Sequence, residues 1–206
     1  MSLIGGALAH EVGKRILVAY LARTGCVDVV PTPTLREDPQ GIDIRYNRAG
    51  MARAAKVRVD SYYGSDPVKT ADRSLPLYRG ETRTYALEET ADVATRTPGW
   101  VQTSRADELL YYRIAIPRPE PEIAALLAAA DGVFFSELGL ERDDLRIIPM
   151  AGLRDWFRTV HERYTPRPVM RDGRSSWNRI VPFDELDTEV AGVRDVGGVY
   201  RLLETR

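Results

Sequence analysis

Cysteine is almost missing from this chain: Cys26 stands alone among 206 residues. A lone thiol excludes an internal disulfide framework and suits a reducing compartment, so a cytoplasmic location is expected. Histidine is nearly as scarce, with only His10 and His161, far apart in the chain, which excludes a zinc centre built on closely spaced imidazoles. No apolar run reaches the roughly 18 residues that a membrane helix needs, and no secretory signal pattern opens the chain, so no membrane partner is expected. Lysine occurs three times, as Lys14, Lys56 and Lys69, within a total of 29 Lys and Arg. That bias reads as GC-rich coding. It also singles out any lysine placed on a strand, because an ammonium is a titratable point charge where a guanidinium is a permanently charged planar fork. The net charge of -1 argues against a protein coated with nucleic acid and confines any such partner to a local basic patch. A P-loop, a dinucleotide fingerprint, a nucleophile elbow, cysteine zinc spacing and internal repeats are all missing too.

What is present is a chain of ordinary single-domain length with 44% apolar residues, enough to bury one sizeable core. Leu3 to Arg23 places Leu8, Val12, Ile16 and Ala19 at helical spacing, and Thr24-Gly25 ends the run. Gly41 to Tyr46 and Ala54 to Asp60 alternate apolar and polar residues with period two, the pattern of strands with one face in a core. Asn47-Arg48-Ala49-Gly50 between them predicts an antiparallel hairpin with a loop somewhat longer than the tightest types. Ile42, Ile44 and Tyr46 then share a face with Ala55, Val57 and Val59. Asp43 and Arg45 share the other face with Lys56, Arg58 and Asp60.

Around this hairpin, Val27 to Val30 reads as a short strand and Pro31 to Gln40 as a surface loop. Tyr62 and Tyr63 open a long aperiodic stretch through Gly80, where they either stack on bases or pack under the loop. Strands are expected at Thr82 to Glu89, Gly99 to Ser104 and Glu108 to Ile116. Glu88 and Glu89 must face opposite ways in such a strand. A helix runs from Pro119 to Ala130 and is closed by Asp131-Gly132; a second runs from Leu153 to Tyr164. Arg154, Arg158, Arg163, Arg167, Arg171 and Arg174 form the densest basic stretch, suited either to phosphates or to a solvated face paired with acids. Asp184 to Leu186 is a short capped helix, and Val193 to Leu203 a last strand or hairpin. The fold class expected is α/β (α+β), a central mixed sheet flanked by helices in a single domain over 1–206.

A helix carrying Glu11, then Asp43 at the start of one strand, then Lys56 on the next, resembles the PD-(D/E)XK nuclease superfamily. The resemblance spans roughly residues 1–116 and leaves 117–206 as a helical and strand elaboration. Tyr85 to Glu88, Pro98-Gly99-Trp100 and Ser104 to Asp107 continue it. It implies a restriction-endonuclease-like core, hydrolysis of DNA phosphodiesters, and Mg²⁺ or Mn²⁺ held by carboxylates. Asp43, Lys56 and Glu88 would then be catalytic, with Asp43, Glu88, Asp60 and Glu11 as metal ligands; a solvated Glu11 and a structural Asp107 are the plainer readings of those two residues. One position departs from the pattern: Ala54 stands two before the lysine, where the family has its second acid. That departure opens the alternative of an inactive, nuclease-derived module that binds nucleic acid or a protein partner. On a polar strand face, Lys56→Ala is expected to cost little stability.

Overall fold

The computed structural model describes residues 4–32, 40–61, 83–171 and 174–204. In chain order its elements are α1 (Ile4–Arg23), β1 (Val27–Pro31), β2 (Ile44–Arg48), β3 (Met51–Ser61), β4 (Thr84–Asp92), β5 (Thr97–Pro98), α2 (Trp100–Thr103), β6 (Glu108–Ala115), α3 (Glu120–Ala128) and α4 (Asp131–Glu137). They continue with β7 (Arg142–Pro149), α5 (Met150–Val160), a 3-10 turn (His161–Arg163), β8 (Pro166–Arg171), β9 (Arg174–Pro182), α6 (Phe183–Glu189), β10 (Arg194–Gly197) and α7 (Arg201–Glu204). Tyr62, Tyr63, Lys69 and the aperiodic stretch to Gly80 lie outside the described residues, as does most of the Pro31 to Gln40 segment.

The hairpin forms as the alternation requires, in register from Ile44 opposite Ala55 to Arg48 opposite Met51. Its turn is tighter than expected: only Ala49 and Gly50 lie between the strands, at φ 51° and 78°, the left-handed geometry that follows the twist of paired strands. β3 then runs parallel to β6, and the sheet extends in the order β1-β2-β3-β6-β7-β10. It is therefore a six-stranded mixed sheet with helices packed on it. α1 lies across one face, burying Val12, Ile16, Leu17 and Leu21 against Ile44, Tyr46, Ala55, Val57 and Val59. A Cβ on Gly13 would stand 2.5 Å from a Val59 methyl, so glycine lets the helix backbone approach β3 closely.

The opposite face carries a second core and a second sheet, of order β5-β4-β9-β8, which local pattern alone does not announce. β4 buries Tyr85 and Leu87 there, pairing with β9 from more than eighty residues downstream. Ile42 belongs to this core and not, as expected, with Ile44 and Tyr46, because the residues ahead of Ile44 are outside the regular strand.

Three expected elements differ. Gly99 to Ser104 is not a strand: Trp100 to Thr103 turns as α2, with the Ser104 N–H donated to the Trp100 carbonyl. Trp100 and Val101 are adjacent and both buried in one core, which one helical turn achieves and an alternating strand facing a single core does not. Asp131 opens α4 instead of closing the previous helix; its carboxylate takes the favourable first-turn position and pairs with Arg15. After β10 the chain ends its described part in α7, where Asp143 accepts the Val199 and Tyr200 N–H groups at 2.6 and 2.8 Å. β7 was not anticipated at all; its Leu145, Ile147 and Ile148 are buried between the two cores.

Gly99 fixes how α2 meets β4. A Cβ there would stand 2.2 Å from the Glu88 carbonyl oxygen and 2.6 Å from its carbon. Both contacts are backbone and cannot swing aside. Gly99→Ala is therefore expected to destabilise the fold by about 2–3 kcal/mol, read as a lower urea midpoint at unchanged slope; a shift equivalent to less than about 0.5 kcal/mol would show that α2 is free to move away.

Candidate functional site

Asp43 stands one residue ahead of β2, with its N–H donated to the Ala55 carbonyl at 2.8 Å. Beyond that point β2 no longer covers the edge of β3, and the Asp43 side chain takes over: Oδ2 accepts the Val57 N–H at 2.7 Å. The same oxygen lies 3.0 Å from Lys56 Nζ, and both side chains are only 2% exposed. Asp43 and Lys56 thus converge, as expected, although Asp43 does so from the end of β2 and not from within the regular alternation. The lysine is no surface group, which overturns the expectation that its loss is cheap. Burial lowers the Lys56 pKa, and the Asp43 carboxylate acts in the opposite sense with less effect. The ion pair lacks hydrogen-bond geometry, so Nζ has no hydrogen-bond acceptor among the described residues.

From α1 it is His10, not Glu11, that reaches this pair: His10 Nε2 is 3.9 Å from Asp43 Oδ1. His10, Gly13 and Leu17 lie three and four apart, on the side of α1 turned to the sheet. Glu11 is rotated away by about 100°; its carboxylate accepts from Lys14 Nζ at 2.9 Å and remains 42% exposed. Burial pushes the His10 imidazole down to about 4, with Asp43 opposing and the charges of Lys56 and Lys14 reinforcing that shift. At neutral pH the ring is uncharged. The clue in the sequence was available: the position three before Gly13, the glycine at the helix crossing, is histidine.

The remaining expected ligands are committed elsewhere. Asp60 Oδ1 lies 3.2 Å from Arg58 Nε, and Oδ2 accepts the Tyr111 hydroxyl. Burial, then the Asp60 charge, raises the Tyr111 pKa well above its usual value, so the phenol stays protonated as a donor. Glu88 comes from the second sheet, near enough for its charge to act on both Lys56 and Arg58, while Oε1 accepts the Trp100 N–H at 3.2 Å. Glu89 is held by Arg179 through two contacts, at 2.7 and 3.0 Å. A bulge between Glu88 and Thr90 breaks the alternation just where face assignment by parity was needed. Ala54, at the position of the missing acid, is buried in the second core and donates its N–H to Asp107 Oδ2 at 2.8 Å. Asp107 is a brace between β3 and the start of β6.

A hard divalent cation wants several oxygen ligands and retains waters. Here Asp43 is closed off at 2% exposure with one oxygen already shared between Lys56 and Val57. Glu11, Asp60 and Glu88 have other partners, and no group of three or more His, Cys, Asp or Glu side chains among the described residues is placed to hold an ion. Among the described residues the donor set does not fit Mg²⁺ or Mn²⁺.

A cationic corner lies close by. Gln40-Gly41, just ahead of Asp43, is strapped to Ser104-Arg105: Ser104 Oγ donates to the Gly41 carbonyl at 2.9 Å, and the Arg105 N–H to the Gln40 carbonyl at 2.8 Å. Arg45 reaches the Gln40 amide oxygen at 3.2 Å, and Arg154 donates to the Ser104 carbonyl at 2.7 Å. The Arg45 and Arg154 guanidiniums and the Arg105 main chain therefore meet on one strap from three distant parts of the chain, and the Arg105 side chain is exposed. None of the three makes an ion pair with a carboxylate among the described residues. Of the basic stretch seen in the sequence, Arg158 faces Asp155 at 3.4 Å and Arg163 faces Glu189 at 4.0 Å, the pairing expected of a solvated face. The Arg171 side chain lies outside the described residues. Compared with protein-family models, curated proteins and solved structures, the chain finds no match.

Proposed function

We propose that this chain is a nuclease-like module that binds DNA through its phosphate backbone and does not hydrolyse it. The observation that carries this reading is the strap to which the Arg45 and Arg154 guanidiniums and the Arg105 main chain are bonded, three arginines without carboxylate partners among the described residues, beside Asp43. Planar donor forks suit phosphate oxygens, and a local cluster serves where the chain as a whole is nearly neutral. The Asp43–Lys56 pair supports the second half of the reading. It has the placement a nuclease would need, but Ala54 stands where the second acid is required and the carboxylate is closed against solvent.

Three phosphate contacts give an expected slope of about -2.7 in log K against log salt, at roughly -0.9 per contact on duplex DNA. Fluorescence anisotropy of a labelled duplex measures it. Arg105→Ala, at an exposed side chain, is expected to make the slope shallower by about 1. Plasmid DNA incubated with the protein in Mg²⁺ or Mn²⁺ should remain supercoiled. A flat salt dependence overturns the binding interface. Nicking that disappears in Asp43→Asn overturns the non-hydrolytic half and restores the catalytic reading of Asp43 and Lys56.

A further inference from the structure

Arg154 borders a second feature. Between α2 and α5 lies a cleft of about 330 Å³ lined by Val101, Gln102, Arg154, Phe157, Arg158 and His161. Its chemistry is divided. Val101 and Phe157 are buried apolar groups, and the His161 ring lies over Phe157 with centroids 5.5 Å apart and planes tilted by 31°. Both imidazole nitrogens are occupied, Nδ1 at 3.1 Å from the Phe157 carbonyl and Nε2 at 3.5 Å from Glu89. The ring is thus held by its edge with one face turned to Phe157, and what it has to offer a ligand is the opposite face. Gln102 donates its amide to the Glu89 carbonyl at 3.2 Å, and its amide oxygen has no partner among the described residues. Two guanidiniums complete the lining: Arg154, shared with the cationic corner, and Arg158, whose side chain is 74% exposed.

A flat aromatic surface, an amide acceptor and two cations within one cleft match the parts of a nucleotide: a base to stack, a base edge to hydrogen-bond, and a phosphate on either side. The volume is at the small end for ligand pockets and suits one base with its sugar, not a base pair. We propose that this cleft receives a single unpaired nucleotide of a DNA strand whose adjoining phosphates lie on the Arg45, Arg105 and Arg154 corner. This rests on the DNA-binding reading and adds to it a preference for strands that can present an unstacked base. Arg154 joins the two surfaces, reaching the Ser104 carbonyl on one side and lining the cleft on the other.

The test uses three DNAs carrying 2-aminopurine, whose emission changes when the base is stacked on an aromatic ring: a single strand, a duplex with one unpaired terminal nucleotide, and a blunt duplex. The full chain is expected to change the emission of the first two and to bind them more tightly than the third. His161→Ala is expected to weaken single-strand binding about tenfold, the scale of one lost base-aromatic contact. Arg158→Ala, at an exposed side chain where folding is not at issue, is expected to lower the ratio of single-strand to blunt-duplex affinity. Thermal melts of both variants identify a loss due to misfolding. Equal affinity for all three DNAs with unchanged emission would overturn the cleft and leave the phosphate interface standing. Failure of all three DNAs to bind would overturn both. A free deoxynucleoside monophosphate that displaces the single strand at equal concentration would assign the cleft to a free nucleotide and overturn the strand-bound assignment.

Discussion

Lys56→Ala will unfold at a denaturant concentration corresponding to a loss of about 3–5 kcal/mol, the scale of breaking a buried ion pair by removing one partner. An exposed strand lysine would cost less than about 0.5 kcal/mol. The difference lies in what is left behind: Asp43, 2% exposed, would keep its charge in a low-dielectric site with the Val57 N–H as its nearest compensating donor. Removing both charges is expected to be far milder, since neutral side chains of similar volume need no desolvation. Asp43→Asn combined with Lys56→Met retains a carbonyl acceptor for the Val57 N–H and should recover most of the loss. Urea unfolding of the parent, Asp43→Asn, Lys56→Met and the pair closes the double-mutant cycle. A cost below about 1 kcal/mol for Lys56→Ala would mean that water reaches Asp43, and the argument against a hydrated metal at this carboxylate would fall with it.

The second large effect is a pH dependence centred on His10. Burial holds its folded-state pKa at about 4, against 6.5 when unfolded. The unfolded chain therefore binds a proton between these values that the folded chain refuses. The stability contributed by this group is complete above pH 6.5 and is lost as pH falls towards 4. A depression of that size corresponds to about 3 kcal/mol at most. Carboxylates also titrate towards the acid end, so the quantity to follow is the difference in unfolding free energy between the parent and His10→Gln. It should be constant above pH 6.5 and shrink by about 2–3 kcal/mol on descending to pH 4. A difference that does not move across that range would place His10 in water and detach it from the Asp43–Lys56 pair.

The sequence by itself determined what depends on short-range periodicity. Alternation through Ile44 to Tyr46 and Ala54 to Asp60 brings Asp43 near Lys56 once the two segments pair, because a strand repeats every two residues; the register itself is fixed by the tighter two-residue turn at Ala49-Gly50, which the structure supplied. Val12 and Ile16 in α1 and Trp156 and Phe157 in α5 follow from spacing in the same way, whereas Leu17 and Leu21, outside the expected α1 stripe, are buried as well. Only the tertiary structure decided the rest. Whether Lys56 is a surface cation or a buried one depends on what packs over β3, and that comes from α1 and from a second sheet whose strands β4 and β9 are more than eighty residues apart. His10 displaces Glu11 at the pair because the crossing of α1 at Gly13 sets which side of the helix faces Asp43. Parity along β4 lost its meaning at the bulge after Glu88. Arg45, Arg105 and Arg154 form a corner only because the Gly41–Ser104 strap brings three remote segments together; local pattern reports the face a residue occupies within its own element, while burial and convergence are properties of the elements packed against it.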